Sequence, residues 1–490
     1  MRTTGKRSSS RPTPWAHAQL LRSGDQNPTP GHPNVERSRK QAAPTPAVFA
    51  IAAGLAAALW APPAMAQQII DLGTLPGSTW SYAAGVNAKG QVAGTANWDN
   101  GIAHAFLYSD GFLTDLGMLP GDAQSTATAI NDLGEVVGGS GSADGSIQHV
   151  FLFSAGTMSS LWAVEGYTYS QATAINNNGQ IAGYSLNPDL AISQAVLYDH
   201  GSVTLLPALP TYPYGVAYAI NSKGQVAGET NYGSGHTHAF LYSDGAMQDL
   251  GVPDPKYSGT KGLGINDSGQ VIGYAFASNN VWSPFLYSGG TMTDMGTLPG
   301  FSQGVAIAIN TSGQVVGYLV PPKHFGAHAF LYANGVMTDL NALLPADSGW
   351  VLIEANAIND LGQIAGQGYN PAGESHAFLM NLTTLTPSSA IAGGPAFTLR
   401  IDGFATNFPP DVTVNWNASP LTTTYVSATR VAAAVPANLI ATTGVATVTV
   451  NSAQGTLAGG TLRVHAPRAA PRVPELPRPN APESMKGSLN

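Results

Sequence analysis

The fold is decided by a stretch that runs from Ala217 to Gly251 and reads AYAINSKGQVAGETNYGSGHTHAFLYSDGAMQDLG. Four short runs rich in β-branched and aromatic residues are separated by turn residues, which predicts four successive β-strands. The motif Asn-x-x-Gly begins a type I turn that a glycine of positive φ closes, and Asp244-Gly245 suits a two-residue type I′ turn. The stretch therefore predicts one four-stranded antiparallel sheet.

This pattern recurs seven times along the chain at a nearly fixed period. The first turn of each repeat begins at Asn87, Asn131, Asn176, Asn221, Asn266, Asn310 and Asn359, which are 44, 45, 45, 45, 44 and 49 residues apart. A period of this length with short strands is typical of a β-propeller, in which each repeat forms one blade. We therefore predict an all-β protein with a seven-bladed β-propeller.

The two ends of the repeat region indicate how the ring of blades closes. The seventh repeat reaches its third strand at His376 to Leu379 and continues without the Gly turn and the fourth strand. Ile69 to Gly73 precede the first repeat and match the fourth strand elsewhere, so we expect this N-terminal strand to complete the last blade. The alternative, an open solenoid, leaves the split repeat unexplained.

The sequence before and after the repeats differs from them in composition and residue pattern. An apolar run from Val48 to Trp60 and a small-residue site ending at Ala66 follow a long basic leader, as in an export signal. The run is shorter than the ~20 residues of a spanning helix. We predict four regions: a signal peptide with a basic leader over 1–66, the propeller over 67–384, a small immunoglobulin-like β-sandwich over 385–466, and a disordered Pro-rich tail over 467–490. The mature protein is then secreted or periplasmic, without a membrane span.

Two known families resemble these regions. The motifs Ala-Ile-Asn-x-x-Gly-Gln, His-Ala-Phe-Leu-Tyr and Asp-Leu-Gly-x-Leu-Pro-Gly occur in order, and over about 67–384 the chain resembles the HAF repeat family of extracellular bacterial proteins. Gln194 and Ser283 depart from its His-Ala-Phe motif. Residues 387–466 look like an IPT/TIG immunoglobulin-like domain, which implies a spacer or a second binding module. The resemblance implies location and architecture, and assigns no activity.

Composition and charge narrow the class of ligand. Residues 67–384 contain five Lys, no Arg and 22 Asp and Glu, a formal charge of 5 − 22 = −17. A nucleic-acid surface needs clustered cations, so we expect no nucleic-acid partner and a neutral or cationic ligand. The chain has no Cys, which leaves no disulfide and no thiolate metal site.

The residues that recur once per blade are expected to be structural. A histidine opens the third strand at His104, His149, His238, His328 and His376. Ligands spread around a ring would not converge on one ion, and Gln or Ser replaces the histidine in the other two repeats. We expect these histidines to be buried and hydrogen-bonded, and the recurring aspartates to accept backbone N–H groups. We therefore expect no metal and no cofactor.

The tryptophans are the candidate binding residues. They lie in or beside the connections from the fourth to the first strand and from the second to the third, which emerge at one end of a blade. We call this the variable end, and the opposite end, with its uniform hairpins, the turn end. The candidate binding residues are Trp80, Trp98, Trp162, Trp282, Trp350, Tyr167, Tyr214 and Tyr232; the same connections also contain Tyr257. Such aromatics stack on sugars or anchor a protein partner, and the alternative is that they pack between blades.

The sequence favours an exported, non-enzymatic binding or adhesion protein that presents this aromatic face to an extracellular glycan or protein ligand. One alternative is a propeller-fold glycoside hydrolase or lyase, which needs two clustered acids. The non-repeating acids to test for it are Glu165, Glu229, Asp254 and Glu354. Another alternative is a structural matrix or surface-layer component, which would self-associate without a ligand.

Overall fold

A computed structural model describes residues 68–467 except 146, 162–166, 168, 188–191, 208–213, 232–236, 280, 323–325, 405, 407 and 454. The expected signal peptide over 1–66 and nearly all of the expected tail lie outside the described residues. The described chain consists of β-strands and turns with two short 3₁₀ helices. Within it, no helix has the length and apolar character that crossing a membrane requires. It divides into two compact units, which are described separately.

The first unit consists of repeated four-stranded antiparallel sheets. It begins with β1 (Gln68–Gly73), and the first repeat forms the sheet β2 (Trp80–Val86), β3 (Val92–Asn97), β4 (Ala103–Ser109) and β5 (Phe112–Asp115). The second and third repeats form β6 (Gln124–Ile130), β7 (Val136–Gly141), β8 (Gln148–Ser154) and β9 (Thr157–Ser160), then β10 (Tyr169–Ile175), β11 (Ile181–Asn187), β12 (Ile192–Asp199) and β13 (Ser202–Leu205). One parallel pair, Tyr169 with Gln148, joins these two into an eight-stranded sheet.

The later repeats continue the same order. The fourth forms β14 (Gly215–Ile220), β15 (Val226–Asn231), β16 (Thr237–Ser243) and β17 (Ala246–Asp249); the fifth forms β18 (Gly259–Ile265), β19 (Val271–Phe276), β20 (Trp282–Ser288) and β21 (Thr291–Asp294). The sixth forms β22 (Gln303–Ile309), β23 (Val315–Val320), β24 (His328–Ala333) and β25 (Val336–Asp339), followed by a 3₁₀ helix over Leu340–Leu343. The seventh forms β26 (Val351–Ile358), β27 (Gln363–Tyr369) and β28 (Ser375–Asn381).

The N-terminal strand lies in the sheet of the last repeat. The strand order of that sheet is β1-β28-β27-β26, so β1 occupies the place that the fourth strand has in other repeats. His376 Nδ1 lies 2.8 Å from Asp71 Oδ1, across 305 residues of chain. The same His-to-Asp bond joins the third and fourth strands elsewhere, as between His104 and Asp115 at 2.8 Å.

The first strand of every repeat contacts the first strand of the next. The contacting pairs are β2–β6, β6–β10, β10–β14, β14–β18, β18–β22, β22–β26 and β26–β2. The last pair joins the two ends of the repeat region, where Asn356 Nδ2 donates to Ala83 O at 3.0 Å. One core cluster accordingly contains Ala83 and Phe106 from the first repeat together with Ala357 and Ala377 from the last.

Close packing explains why the glycine of Gln-Val-x-Gly and the phenylalanine of His-Ala-Phe occur together. Phe240 is fully buried over the backbone of Gly228 in the neighbouring strand. A Cβ atom on Gly228 would lie 2.6 Å from the Phe240 ring and 2.0 Å from the Val216 carbonyl oxygen. The same contact recurs between Gly94 and Phe106. Each phenylalanine therefore requires a residue without a side chain beneath it.

The two hairpin turns follow their sequence signals. Asp244 and Gly245 have φ of 52° and 82°, both in the left-handed region that a type I′ turn requires. In the Asn-x-x-Gly turn, Asn131 Oδ1 accepts the backbone N–H groups of Leu133 and Glu135. Asn131 Nδ2 also donates to the carbonyl of Asn176 at 3.2 Å, so the turn residue of one repeat binds the turn of the next.

The second unit contains two further sheets around one core. One sheet has the order β29-β31-β35-β34 and the other β30-β37-β36-β32-β33. The strands are β29 (Thr383–Thr386), β30 (Ser389–Ile391), β31 (Phe397–Gly403), β32 (Thr413–Trp416), β33 (Ser419–Pro420), β34 (Thr422–Ser427), β35 (Arg430–Val435), β36 (Gly444–Ser452) and β37 (Gly455–His465), with a 3₁₀ helix over Ala437–Ile440. Leu399, Trp416, Val448 and Leu462 are buried in the shared core.

Candidate binding site

The tryptophans lie at the variable end of the first unit, where they are half-buried. Trp80 is the first residue of β2 and Trp282 the first of β20. Trp98 begins the turn between β3 and β4, and Trp350 directly precedes β26. Of the tyrosines, Tyr214 directly precedes β14 and Tyr167 lies two residues before β10, both half-buried. Trp162 and Tyr232 lie outside the described residues.

These tryptophans divide into two kinds by their contacts. Trp98 packs against the His104 ring at a centroid distance of 4.9 Å and against a hydrophobic core cluster, and Trp350 meets Phe378 edge-on at 6.4 Å. Both therefore contribute to packing. Trp80 instead stacks on Tyr82 at 5.8 Å, and Trp282 lies 6.0 Å from Tyr274.

Tyr82 and Tyr274 belong to a set of positions that vary from repeat to repeat. The set consists of the residue five places before each turn asparagine and its cross-strand partner on the second strand. The pairs are Tyr82–Thr95, Thr126–Gly139, Gln171–Tyr184, Val216–Glu229, Lys261–Tyr274, Val305–Tyr318 and Glu354–Gln367. We call these fourteen residues the inner ring, because they lie on the first two strands of each repeat.

One neighbour of each inner-ring residue hardly varies. The next residue on the first strand is Ala in six repeats and Gly in one, and the preceding residue on the second strand is Gly in all seven. The ring lies two residues inside the end of the strands, since Tyr82–Thr95 follows the terminal pair Trp80–Asn97. The neighbours towards the variable end do vary, for example between Ser81, Thr260 and Ile353, so the variation begins at the ring and continues to that end.

A buried ion pair forms the centre of the best-defined part of the ring. Glu229 is 1% exposed. Lys261 Nζ lies 2.9 Å from its Oε2 atom and 3.0 Å from its Oε1 atom. The hydroxyl groups of Tyr218 and Tyr214 donate to Oε1 at 2.8 and 3.3 Å. A buried carboxylate is tolerated when it is paired and hydrogen-bonded in this way.

The surroundings of the ring hold its tyrosines in the protonated form. Burial raises the pKa of the Tyr184, Tyr274 and Tyr318 hydroxyls, and the carboxylates of Glu229 and Glu354 raise it further. For Lys261, burial opposes the charged form, but Glu229 outweighs it and raises the pKa. These groups are therefore hydrogen-bond donors at neutral pH.

Electrostatic interactions connect the ring from one repeat to the next. Glu229 acts on Tyr274, Tyr274 on Tyr318, and Glu354 on both Tyr318 and Tyr82. These residues belong to the fourth, fifth, sixth, seventh and first repeats. The polar groups of these repeats therefore lie near enough to influence one another.

Of the four acids that the sequence singled out, the three that the structure describes do not form a reactive pair. Glu229 and Glu354 lie in the inner ring on different sheets, and Lys261 neutralises Glu229. Asp254 Oδ1 accepts the backbone N–H of Lys256 at 2.8 Å, which is a turn-capping role. Glu165 lies outside the described residues.

The recurring histidines have the hydrogen-bonding role that we expected, but the expectation that they are buried is wrong. His238 and His328 approach Asp249 and Asp339 at 2.9 and 2.7 Å, with side chains 14% and 34% exposed. They need not be buried, because the partner aspartate lies on the fourth strand at the outer edge of the sheet. In the part of the chain that the structure describes, no three His, Asp or Glu side chains cluster as metal ligands do.

The sequence pointed to the variable end but missed most of the inner ring. The residues missed were Tyr82, Tyr184, Lys261, Tyr274 and Tyr318. A signal was present, because aligning the seven repeats shows a variable position directly beside one that is Ala or Gly in every repeat. The predicted site was chosen from aromatic residues in loops, and the variation inside the strands was therefore not considered.

Comparison with known proteins places part of the chain in a family model. Residues 167–376 match a family described as a protein of unknown function, DUF3466. None of the curated proteins matches the chain.

Several β-propeller proteins of known structure are similar to the chain. TolB from Acinetobacter baumannii is 12% identical, with 46% of this chain and 53% of that chain covered and a TM-score of 0.32. The AofleA mutant from Arthrobotrys oligospora is 12% identical, with 56% and 88% covered and a TM-score of 0.37. The Aleuria aurantia lectin, a six-bladed β-propeller, is 12% identical, with 62% and 92% covered and a TM-score of 0.29. The chain thus spans about half the length of the TolB structure.

Proposed function

We propose that this chain is an exported, non-enzymatic binding protein that presents its variable end to an extracellular glycan. Its first unit is then a closed seven-bladed propeller of HAF-type repeats, and its second an IPT/TIG-like, immunoglobulin-fold spacer. Two observations support the closed ring: the contacts between all successive first strands, and the place of β1 in the last sheet.

The observation that carries the binding role is the variation of the inner ring. Packing between equivalent sheets calls for equivalent residues, and the neighbour of each ring residue on the side away from the variable end is indeed Ala or Gly in every repeat. A binding surface instead needs a different group at each point of contact. Lys261, Glu229, Tyr184 and Gln171 occupy places where packing alone would be served by one recurring side chain.

The chemistry of the variable end favours a glycan over other ligands. The half-buried members of the ring, Lys261, Tyr274 and Glu354, supply donors and acceptors for sugar hydroxyl groups. Trp80 and Trp282, which contact ring tyrosines, supply the aromatic faces on which sugar rings stack. The formal charge of −17 over 67–384 disfavours polyanions, so the sugars are neutral or cationic.

The test is a titration of the full-length protein with a panel of neutral polysaccharides while tryptophan emission is recorded. We expect a saturable shift with at least one of them, which Trp80→Ala and Trp282→Ala together abolish. The control is Phe112→Ala, because Phe112 is 75% exposed beside the Asp110-Gly111 turn at the turn end. We expect that variant to bind as the wild type does.

The other outcomes distinguish the alternatives. If Phe112→Ala loses binding to the same extent, the binding site does not lie at the variable end. If no polysaccharide in the panel shifts the tryptophan emission, a glycan ligand is excluded, and a protein ligand or a matrix role remains. Self-association of the protein alone, measured by sedimentation velocity, would then favour the matrix role.

A further inference from the structure

The fifth repeat departs from the common pattern at three neighbouring points. Ser283 replaces the histidine that opens the third strand in five of the other repeats. Lys256 stands ten residues before the turn asparagine, where five repeats have glycine. The connection before the first strand is also one residue longer, since Gly251 to Ser258 spans eight residues and Gly296 to Ser302 in the sixth repeat spans seven.

These changes place three different groups on one aspartate. Ser283 Oγ donates to Asp294 Oδ1 at 2.5 Å. The Tyr257 hydroxyl donates to Asp294 Oδ2 at 2.6 Å, and Lys256 Nζ lies 3.3 Å from the same oxygen. Lys256 Nζ also lies 4.7 Å from the centroid of the Tyr257 ring. Asp294 therefore fixes the position of a phenol and an ammonium group at the variable end.

The sixth repeat, which keeps the recurring histidine, has a different arrangement at this place. His328 reaches Asp339 at 2.7 Å, and Phe301, the counterpart of Tyr257, packs against the His328 ring at 5.2 Å. That arrangement fills the space with two apolar or half-apolar rings. In the fifth repeat Ser283 binds one oxygen of Asp294, and Tyr257 and Lys256 bind the other.

A cavity of about 420 Å³ that is wide open to solvent lies beside this group, between the connection that precedes β18 and the one between β19 and β20. It is lined by Lys256, Tyr257, Ala277, Ser278, Asn279 and Val281. Trp282 is the next residue along the chain. Small-ligand sites typically have volumes of about 300–1,000 Å³ and combine apolar walls with a few fixed polar groups. Ala277 and Val281 supply the walls here, and Lys256, Ser278 and Asn279 the polar groups.

We propose that this cavity binds one or two units of an uncharged sugar. The inference rests on the proposed glycan-binding function and names one site and ligand class for it. The charge of the site selects against acids, because Asp294 neutralises Lys256 and the Asp254 carboxylate lies only two residues away. The ammonium group can donate to sugar hydroxyls, and the hydroxyl and amide groups can both donate to them and accept from them.

The test measures binding of small sugars to the full-length protein by calorimetry. The probes are the methyl glycosides of glucose, galactose and mannose, the disaccharides cellobiose and lactose, and glucuronate as the charged comparison. The variants remove the groups that distinguish this site: Lys256→Gly puts back the glycine of five other repeats, and Tyr257→Phe removes only the phenol oxygen. We expect a neutral probe to bind the wild type and each variant to weaken it by about tenfold, the effect of losing one hydrogen bond.

Two further variants are controls for effects on binding that do not arise at this site. Phe301→Tyr makes the comparable change in the sixth repeat, and Phe112→Ala alters an exposed residue at the turn end; we expect neither to change binding of the small probe. Tyr257 is only 7% exposed, so Tyr257→Phe could also disturb the core. Ser278→Ala changes a cavity residue in a connection, and a loss of affinity in that variant supports the site independently.

Each remaining outcome overturns the inference. Neutral sugars that bind but are unaffected by Lys256→Gly and Ser278→Ala place the site elsewhere and leave the proposed function standing. Polysaccharide binding without binding of any small probe removes the cavity as the sugar site. If neither the polysaccharides nor the small sugars bind, the proposed function is wrong as well. Tighter binding of glucuronate than of neutral sugars contradicts the charge argument.

Discussion

At the scale of single residues, the ion pair between Glu229 and Lys261 should contribute to the stability of the inner ring. Lys261→Met leaves a carboxylate that is 1% exposed without its cation. Breaking a buried pair in this way costs about 3–5 kcal/mol. We expect Lys261→Met to lower the free energy of unfolding by about 3 kcal/mol in urea denaturation.

The control for that variant is Lys223→Met, at an exposed position in a turn of the fourth repeat. It should change the free energy of unfolding by less than about 0.5 kcal/mol. The double variant Glu229→Gln with Lys261→Met should recover most of the loss, because it leaves no buried charge. Equal, small effects of the two lysine variants would contradict a buried pair.

The ring tyrosines predict a loss of stability at alkaline pH. Burial raises the pKa of Tyr184, Tyr218, Tyr274 and Tyr318 in the folded chain above the value of about 10 for an unfolded one. The folded state therefore holds these protons more tightly. Its stability is complete below about pH 10 and falls as the pH rises beyond that value. Tm should decline steeply there, and the decline should be shallower in Tyr274→Phe. A Tm independent of pH in this range would contradict the burial.

Residue roles were harder to predict than residue positions. Aromatic type and loop placement led to Trp98, which packs against His104, as readily as to Trp80, which stacks on the ring. A side chain that packs and one that binds obey the same preference for partial burial. Variation between repeats separates the two kinds of position better than residue type does.

At the scale of strands, the contact between glycine and phenylalanine should control folding of each sheet. Gly228→Ala brings a methyl group to within 2.0 Å of the Val216 carbonyl oxygen and 2.6 Å of Phe240. Overpacking typically costs about 1–3 kcal/mol, and backbone crowding adds to it. Gly215→Ala in the same sheet meets its nearest atom at 3.4 Å, an ordinary contact. Thermal unfolding should show a large loss for the first variant and little change for the second.

The N-terminal strand should depend on its bond to the last repeat. Asp71→Ala removes the acceptor of His376 and of the Gly73 N–H group. We expect faster amide hydrogen exchange over β1 and β28, because that bond anchors the outermost strand. Asp115→Ala breaks the equivalent bond within the first repeat and should leave exchange in β1 unchanged. Equal protection of β1 in Asp71→Ala and the wild type would show that backbone pairing alone retains the strand.

Strand positions in the repeats followed from local signals, whereas some strands of the second unit have no such signal. The expected third strand of the seventh repeat, His376 to Leu379, lies in β28 over Ser375–Asn381, a difference of two residues at most. β34 over Thr422–Ser427 is mostly exposed and lacks apolar alternation. β30 has three residues and pairs in parallel with the distant β37, which no local pattern reveals.

At the scale of the molecule, the period of the repeat carries most of the predictable information. Seven equivalent segments cannot each bury their apolar faces alone, so they pack on their neighbours. Because the repeat is regular, the sequence also showed that the last repeat lacks its fourth strand and that β1 matches it. The parallel pair that joins the second and third sheets was not visible, because it depends on the connection between them.

The central claim is that the variable end binds a glycan, and hydrogen exchange with and without a polysaccharide tests it most directly. We predict slower exchange at the inner-ring ends of the first two strands, including 80–84, 272–276 and 316–320, and unchanged exchange in the hairpins at 110–111 and 244–245. Protection confined to the turn end or to the second unit, or none with any polysaccharide in the panel, would contradict the claim.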